Sequence, residues 1–441
     1  MSPAPGRPWR RALAWLLFLA PFFFITYGLA NWTAAQRVGV PSLAFGWERA
    51  IPFWAWTIVP YWSIDALYGL SLFVCTSRRE LDTHAKRLLT AQLVAVACFV
   101  AVPYRYSFDR PGADGVFGVM FDALLGFDLP YNQIPSLHIA LAVILWVLYA
   151  RKTRGVVHAL LTVWFLLIGA SVLTTYQHHF IDIPTGFALG WLCVWLWSFR
   201  EPGIHTPAAV WRTATAPARH RLALLYASGA LVCLLAALGA GGAALWLGWP
   251  ALSLAIVAAC YAGLGPAGFQ KGADGRLRPA ARWLLAPYLA GAWLNSRWWT
   301  RRHPAPVPVA DGVWIGRVPS ARDGDLGRFA GIVDLTAEFD VVPGPRALAV
   351  VPILDLTAPS PAVLADAAAA IERARARGPV LVCCALGLSR SACAVAAWLL
   401  ATRRAGTVDA ALARVRAAQA RVVLGEGHRK SLHAMRLPSP S

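Results

Sequence analysis

From Leu222 to Gln270 the chain runs for 49 residues without one charged side chain. Such a stretch has no charged face to offer water, and it is long enough to cross a hydrocarbon core twice, since one crossing takes about 20 apolar residues. The pattern recurs upstream. Apolar runs occupy 12–30, 53–75, 88–104, 137–150, 156–174 and 183–199, and the charge-free stretch divides into 222–241 and 243–264. These are eight candidate spans, the short fourth one read as extending upstream through Pro135. The first follows Arg7, Arg10 and Arg11, as a signal peptide would. It is long, however, ends in Asn31-Trp32-Thr33 and lacks a small-residue cleavage site, so it reads as a retained helix. The whole chain is 58% hydrophobic and 14% charged, against about 25% charged for a soluble domain. That balance excludes a disordered chain, a fibrous repeat and an ordinary soluble enzyme.

Net charge is +19, from 37 Arg and 4 Lys against 22 acidic residues. Nucleic-acid binding is one explanation of such a balance. The other is cytoplasmic loops that hold back positive charge, and it fits better because the Arg residues cluster in short loops. With the N-terminus inside, the inner loops hold Arg7, Arg10, Arg11, Arg78, Arg79, Lys86, Arg87, Arg151, Lys152, Arg154, Arg200, Arg212, Arg219 and Arg221. The outer loops hold Arg37, Arg49, Arg105 and Arg110. An even number of spans returns the chain inside near Lys271. The 12-residue run Trp283 to Leu294, with Trp298 and Trp299 beyond it, is too short to cross and reads as an interfacial helix. Gly263-Leu-Gly265-Pro-Ala-Gly268 fits GxGxxG but lacks the preceding strand, following helix and acidic partner of a dinucleotide site, and reads as a helix end. Cys75, Cys98, Cys193, Cys233 and Cys260 lie in or beside apolar runs as small hydrophobes. There is no CxxC pair to suggest a zinc ribbon or a disulfide framework.

Ionisable groups at membrane depth mark candidate sites. Pro135-Ser136-Leu137-His138 opens the fourth span, and Ser171 through His178-His179-Phe-Ile-Asp182 precedes the sixth. Both fall on the outer side, and His178 and Asp182 share one face of a helical turn. A neutral imidazole whose other nitrogen is held by a carboxylate can attack phosphorus. A second His can protonate the departing oxygen, and Arg105 and Arg110 in the preceding loop can balance phosphoryl charge. Pro135–His138 resembles the PSGH/PSLH motif of the type-2 phosphatidate phosphatase superfamily. Ser171–Asp182 resembles its S-R-x5-H-x3-D motif, and Arg110-Pro111 the end of its K-x6-R-P motif. The PSLH and HHxxD forms are most similar to the branch holding inositol-phosphoceramide and sphingomyelin synthases. The resemblance covers about residues 50–200 and implies His178 as nucleophile, Asp182 as its partner and His138 as acid. Val172 stands where the family has Arg and Pro103 where it has Lys, leaving Arg105 as a substitute cation.

From Val309 the pattern changes to short β-runs between helices. Strands are expected at Val313–Gly316, Gly331–Leu335, Leu348–Ile353 and Val380–Cys384, and helices at Pro361–Ala376, Ser391–Arg403 and Val408–Ala420. The alternation implies a mostly parallel sheet with helices on its faces. The strand ending at Cys384 runs through Ala385-Leu386-Gly387-Leu388-Ser389-Arg390-Ser391 into a helix, which builds an anion cradle around one point. A thiolate is favoured there. Arg390 can clamp two phosphate oxygens, Gly387 permits the turn, Ser391 can hydrogen-bond the departing thiolate, and Asp355 follows a strand at the same edge as a general acid. C-x2-G-x2-R-S in this setting resembles the dual-specificity phosphatases over about residues 305–435. Leu354-Asp355-Leu-Thr-Ala-Pro and C-x2-G-x-S-R-S are most similar to the lipid-directed mitochondrial type acting on phosphatidylglycerophosphate. The resemblance implies Cys384 as nucleophile, Arg390 as phosphate binder and Asp355 as acid; Gly387 and Ser389 of the loop are further phosphate-binding candidates. Cys383 replaces the family His and is read as inert packing, or alternatively as a redox partner for Cys384. The apolar Ala385, Leu386 and Leu388 argue against a multiply charged inositol headgroup. His428 and Arg429 are read as a solvated face, with a substrate contact as the alternative.

The expected architecture is an all-α polytopic membrane bundle of about eight spans followed by an α/β Cys-phosphatase domain with a central, mostly parallel sheet. The expected domains are 1–200, a six-helix phosphatase/phosphotransferase-like membrane domain; 201–303, two further helices, the interfacial helix and a linker; and 304–441, the dual-specificity phosphatase domain. The frayed tail Pro438–Ser441 follows. The leading expectation is a lipid-pathway phosphatase with a cytoplasmic Cys site, in a reducing compartment, and an outer-face His site. A membrane-anchored protein tyrosine/serine phosphatase is the alternative. A third reading leaves the outer site degenerate and the membrane domain an anchor or lipid-binding module. Expected partners are membrane lipids and a phosphorylated lipid substrate, not nucleic acid, and no cofactor or metal is expected.

Overall fold

The computed structural model describes residues 7–126, 128–199, 211, 217–320, 323, 326–342, 344 and 346–435. Arg200 and Arg212 of the charge count and the tail Pro438–Ser441 lie outside the described residues. The chain divides into two compact units, Met1–Phe199 and Arg200–Ser441.

The first unit is helical: α1 (Trp9–Ala35), α2 (Ile58–Val74), α3 (Arg78–Ala101), α4 (Gly115–Leu125), α5 (Leu137–Lys152), α6 (Gly155–Thr174) and α7 (Asp182–Leu196). Helix α5 is its core, with Ala140, Ile144, Leu145 and Leu148 sealed from solvent. It packs against α7 through a glycine stripe. A Cβ on Gly186 would meet the Ser136 carbonyl oxygen at 2.4 Å, and one on Gly190 would meet that of Ala140 at 2.8 Å. Small residues four apart let two helix backbones approach closely, and here they draw the start of α5 against the start of α7. Among the described residues, six helical stretches are long and apolar enough to cross a membrane. Two of the eight expected spans are shorter. Helices α5 and α7 have 16 and 15 residues, or about 24 and 22 Å at 1.5 Å per residue. Helix α5 starts at Leu137, capped by the Ser136 hydroxyl, which accepts from Ile139 N, so it does not continue upstream through Pro135.

The second unit begins with α8 (Pro217–Ala240) and the helical stretch Gly242–Phe269, which contains α9 (Gly248–Ala259). The expected interfacial helix is corrected. The segment breaks at Leu285 into α10 (Pro279–Leu284) and α11 (Ala286–Thr300), and the latter takes in Trp298 and Trp299. Pro287 lies in the first turn of α11. Proline is tolerated there but cannot continue a preceding helix, so the apolar run is split where the proline stands.

The sheet follows: β1 (Val307–Ala310), β2 (Val313–Arg317), β3 (Gly331–Thr336), β4 (Ala347–Ile353) and β5 (Val380–Cys384). Its order is β1-β2-β5-β3-β4, parallel throughout except for β1, an antiparallel edge that the sequence reading missed. Helices α12 (Pro361–Arg375), α13 (Arg390–Ala401) and α14 (Val408–Ala418) fall where expected, and α15 (Glu426–His433) is additional. One face of the sheet is covered by Leu364, Ile371, Val395, Trp398 and Leu412. The other carries Val318, Phe329, Leu381 and Cys383. Helix α13, apolar on all sides and almost wholly buried, is the post on which the loop after β5 is built.

Candidate active sites

Strand β5 delivers Cys384 to the carboxyl edge of the sheet, where clefts of parallel sheets open. The loop then turns at Gly387, which has φ +75° and lies so close to β2 that a Cβ would meet the Gly316 carbonyl carbon at 2.6 Å. Only glycine fits that conformation and that space. The turn directs Gly387 N at Cys384 Sγ, 3.2 Å away, and the first turn of α13 brings Ser391 Oγ to 3.3 Å from the same sulfur. Val318 N donates to the Cys384 carbonyl at 2.7 Å and fixes the strand end.

Arg390 opens α13 and is 1% exposed. Its guanidinium donates to both Glu338 oxygens at 2.6 and 2.9 Å and to the Ile353 carbonyl at 2.9 Å, and it stands 3.1 Å from Asp355 Oδ1. Its Nε, also buried, has no partner among the described residues. That donor is available to a phosphate oxygen. Burial opposes the charge on Arg390, but the Glu338 and Asp355 carboxylates outweigh it and hold the group well above its ordinary range. Burial likewise raises Glu338, and the Arg390 charge with its hydrogen bonds brings it below the usual carboxylate range. Glu338 is therefore an anionic brace for Arg390 and a poor proton donor. Asp355, partly open to the cleft, is placed for that role. The sequence reading missed Glu338. Its one signal is a carboxylate directly past the carboxyl end of a strand neighbouring β5.

The remaining expected residues separate clearly. Ser389 Oγ lies 3.2 Å from His428 Nε2 on α15, so His428 braces the loop, while Arg429 pairs with Asp409 instead. Cys383 lies on the opposite sheet face from Cys384, as alternation along a strand requires. Burial and then the nearby Asp334 push its thiol well up, which favours packing over a redox role. A cleft of about 550 Å³ opens beside the loop that follows Cys384, lined mostly by apolar residues such as Leu254, Ala292, Trp299, Leu356 and Leu386, with Tyr226, Tyr288, Asn295, Ser296, Asp355 and Glu338 among them.

In the first unit, His178 Nδ1 is 3.1 Å from Asp182 Oδ2, and its Nε2 is 3.3 Å from Ser136 Oγ. His138 stacks on Tyr61 at 4.2 Å, and its Nε2 has no partner among the described residues. Both histidines line a cavity of about 60 Å³ together with Asp65, Asp128 and Asn132. Arg110 sits over the Phe121 ring at 4.9 Å, and with the Gln177 carboxamide turned end for end its oxygen accepts from the guanidinium at 2.9 Å. Arg105 is exposed and does not line the cavity, so it does not stand in for the family cations. Val172 packs with Ile58, Tyr61 and Phe121, and its carbonyl accepts from His178 N at 3.0 Å. His179 has a separate partner, Glu48, at 2.9 Å, and its Nε2 meets Ser42 and Ser107. Glu48, Asp65 and Asp128 were not singled out from the sequence. Among the described residues no group of three or more His, Cys, Asp or Glu is disposed to hold a metal ion.

Residues 347–436 match the family model described as the dual specificity phosphatase catalytic domain. No curated protein matches the chain. Similar solved structures include Tk-PTP in its active form, at 27% identity over 30% of this chain and 95% of that one, with a TM-score of 0.27. Human DUSP28 is 27% identical over 29% of this chain and 92% of its own, with a TM-score of 0.27. PTPMT1 in complex with PI(5)P is 17% identical over 28% of this chain and 89% of its own, with a TM-score of 0.25. By the family match, residues 347–436 are a domain of the dual-specificity phosphatase type, the type that hydrolyses phosphoesters through a Cys.

Proposed function

We propose that this chain is an integral-membrane phosphatase of phospholipid metabolism whose Cys384 site hydrolyses a lipid phosphomonoester of the phosphatidylglycerophosphate kind. The observation that carries this reading is the wall of the cleft. A peptide-directed site needs an open polar rim. Here Leu254 of α9 and Ala292 and Trp299 of α11 line the approach to Asp355 and the Cys384 loop, and an acyl-bearing alcohol suits such a wall. In the reaction, Cys384 Sγ attacks phosphorus while the bond to the alcohol oxygen breaks, and Asp355 gives that oxygen its proton. The Arg390 guanidinium binds a non-bridging oxygen through its unpartnered Nε. Water, deprotonated by Asp355, then cleaves the cysteinyl phosphate, and Ser391 hydrogen-bonds the departing sulfur. The loop charges support a cytoplasmic N-terminus and a cytoplasmic catalytic domain.

The test is phosphate release by the purified full chain in detergent, with wild type beside C384S, on phosphatidylglycerophosphate and on a phosphotyrosine peptide. Cys384-dependent release mainly from the lipid supports the reading, and release mainly from the peptide replaces it with a membrane-anchored protein phosphatase. The His178–Asp182 pair, with His138 in the same cavity, favours a second, His-dependent phosphatase or headgroup-transferase site in the first unit. H178A should remove any such activity.

A further inference from the structure

Three loops make the Cys384 site: 337–339 after β3, 354–356 after β4 and 385–389 after β5. All extend beyond the sheet's hydrogen-bonded ladder, where loops are least constrained by the scaffold. The second and third are each held by one residue from upstream of the catalytic domain, and the first is anchored by one at the end of the strand it leaves. Ser296 of α11, 1% exposed, donates through Oγ to the carbonyl of Ala385, the residue after Cys384, at 2.6 Å. The Tyr261 hydroxyl donates to the backbone carbonyl of Asp355 at 3.0 Å. The next residue, Leu356, has φ +55°, a conformation that a non-glycine residue keeps only when its surroundings enforce it. The Lys271 ammonium bonds Asp334 and, at 2.8 Å each, the carbonyl and hydroxyl of Thr336. All three of its protons are used, at the root of the loop whose Glu338 holds Arg390. Lys271 and Asp334 are completely buried, so the clamp is shielded from water and salt.

We propose that Tyr261, Lys271 and Ser296 are positioning residues of the Cys384 site, and that the helical segment ahead of the catalytic domain completes its active site. The inference rests on the reading of Cys384 as the nucleophile. It makes the residues beyond 303 an incomplete enzyme, although they contain every group that touches phosphate. The three contacts divide the work: Ser296 sets the nucleophile loop, Tyr261 the acid, and Lys271, through Thr336 and Glu338, the phosphate clamp.

The decisive variant is Tyr261→Phe, made in the full chain, which removes one hydroxyl and keeps the ring. A misplaced acid harms a substrate with a poor leaving group and spares one whose leaving group departs unaided. General acid catalysis is worth about 100-fold or more. Y261F should therefore lose about 10-fold in kcat/KM, which reports the acid-assisted first step and not the shared hydrolysis of the cysteinyl phosphate, on an alkyl phosphomonoester lipid, where part of that contribution survives, and little in kcat/KM on p-nitrophenyl phosphate. The double variant K271M/D334N removes the clamp without leaving a lone buried charge. It should lower kcat/KM by about 100-fold, the loss expected for a misplacement of about 1 Å. Orthovanadate inhibition should weaken in parallel, while alkylation of Cys384 by iodoacetamide keeps its wild-type rate. R276A, at an exposed hairpin position, serves as the unchanged control. Equal losses of Y261F on both substrates, or none on either, overturn the proposal, whatever the double variant does. If wild type shows no Cys384-dependent release, it is the reading of the site that fails; if wild type is active and Y261F matches it throughout, only the positioning role falls.

Discussion

Replacing Glu338 by Gln tests the brace on Arg390 with almost no change in shape. In the wild type a fully buried carboxylate accepts two guanidinium bonds at 2.6 and 2.9 Å and one from Ala337 N at 3.0 Å. The amide removes the charge and turns one acceptor into a donor aimed at the guanidinium. Breaking a buried pair from one side costs about 3–5 kcal/mol, because the remaining charge keeps its burial and loses its partner. Asp355 offsets only part of this, since it is partly open to water. For a unit of this size a kcal/mol is worth roughly 2–4 °C, so the melting transition of the catalytic unit should fall by about 10 °C. Arg390 should also tilt toward Asp355. A displacement of about 1 Å at a catalytic group costs about 100-fold in kcat/KM, measured with p-nitrophenyl phosphate well below the melting point. A variant with wild-type melting and wild-type kcat/KM would refute the reasoning and leave the Ile353 carbonyl and Asp355 as the groups that hold Arg390.

Other outcomes follow from the same geometry. H428A should lower kcat/KM by roughly fivefold, the equivalent of one hydrogen bond of about 1 kcal/mol, because Ser389 loses its contact with α15; steady-state kinetics on the purified protein checks this. Glu372 is held down to about 2 by hydrogen bonds from Arg375, and also from Trp398, against slight burial. A depressed carboxylate stabilises the fold above its ordinary value of 4.5 and loses that contribution as pH falls toward 2. The melting gap between wild type and E372Q should therefore be full at neutral pH, close between about 4.5 and 2, and stay within about 1 kcal/mol because the group is partly exposed. H178A should leave Cys384-dependent release unchanged when both are assayed in the full chain. In Gly190→Ala the new Cβ meets Val143 Cβ at 2.7 Å and the Ala140 carbonyl oxygen at 2.8 Å. It should destabilise the first unit by about 1–3 kcal/mol, as overpacking does, read from its own thermal transition.

What was legible in the sequence was contiguous. The strand, loop and helix around Cys384 lie within one short run, so their residue types can be read against one local geometry. Glu338 was not legible, because its partner Arg390 is 52 residues away. Lys271 and Asp334 are 63 apart, Ser296 and Ala385 are 89 apart, and Tyr261 and Asp355 are 94 apart. Each is an ordinary residue in an ordinary stretch until the fold brings the pair together. The same holds for β1, four residues long and carrying Pro308, which only the edge of a finished sheet explains. The break between α10 and α11 was readable, since Pro287 was in plain view. The apolar run was followed across it because hydropathy carries no information about a missing N–H.

The two sites also differ in how far a motif determines its surroundings. At Cys384 the motif carries much of its electrostatics with it: the sulfur, the Gly387 amide and the Arg390 cation sit on one loop and one helix start. At His178 the motif fixes only the histidine, its carboxylate and the opening of α5. The other ionisable groups around them come from distant chain, Asp65 in α2 and Asp128 before α5. Val172, buried among apolar side chains, adds no cation where the related family has Arg. Wherever both are ionised, two carboxylates in one small cavity oppose a phosphate by the same Coulomb argument that makes Arg390 attract one. Arg110 is the cation nearest that balance, and its guanidinium is engaged by Phe121 and Gln177. A His–Asp pair at catalytic spacing thus does not by itself suffice for phosphoryl chemistry. The charge of the cavity decides, and four letters of a motif do not encode that charge.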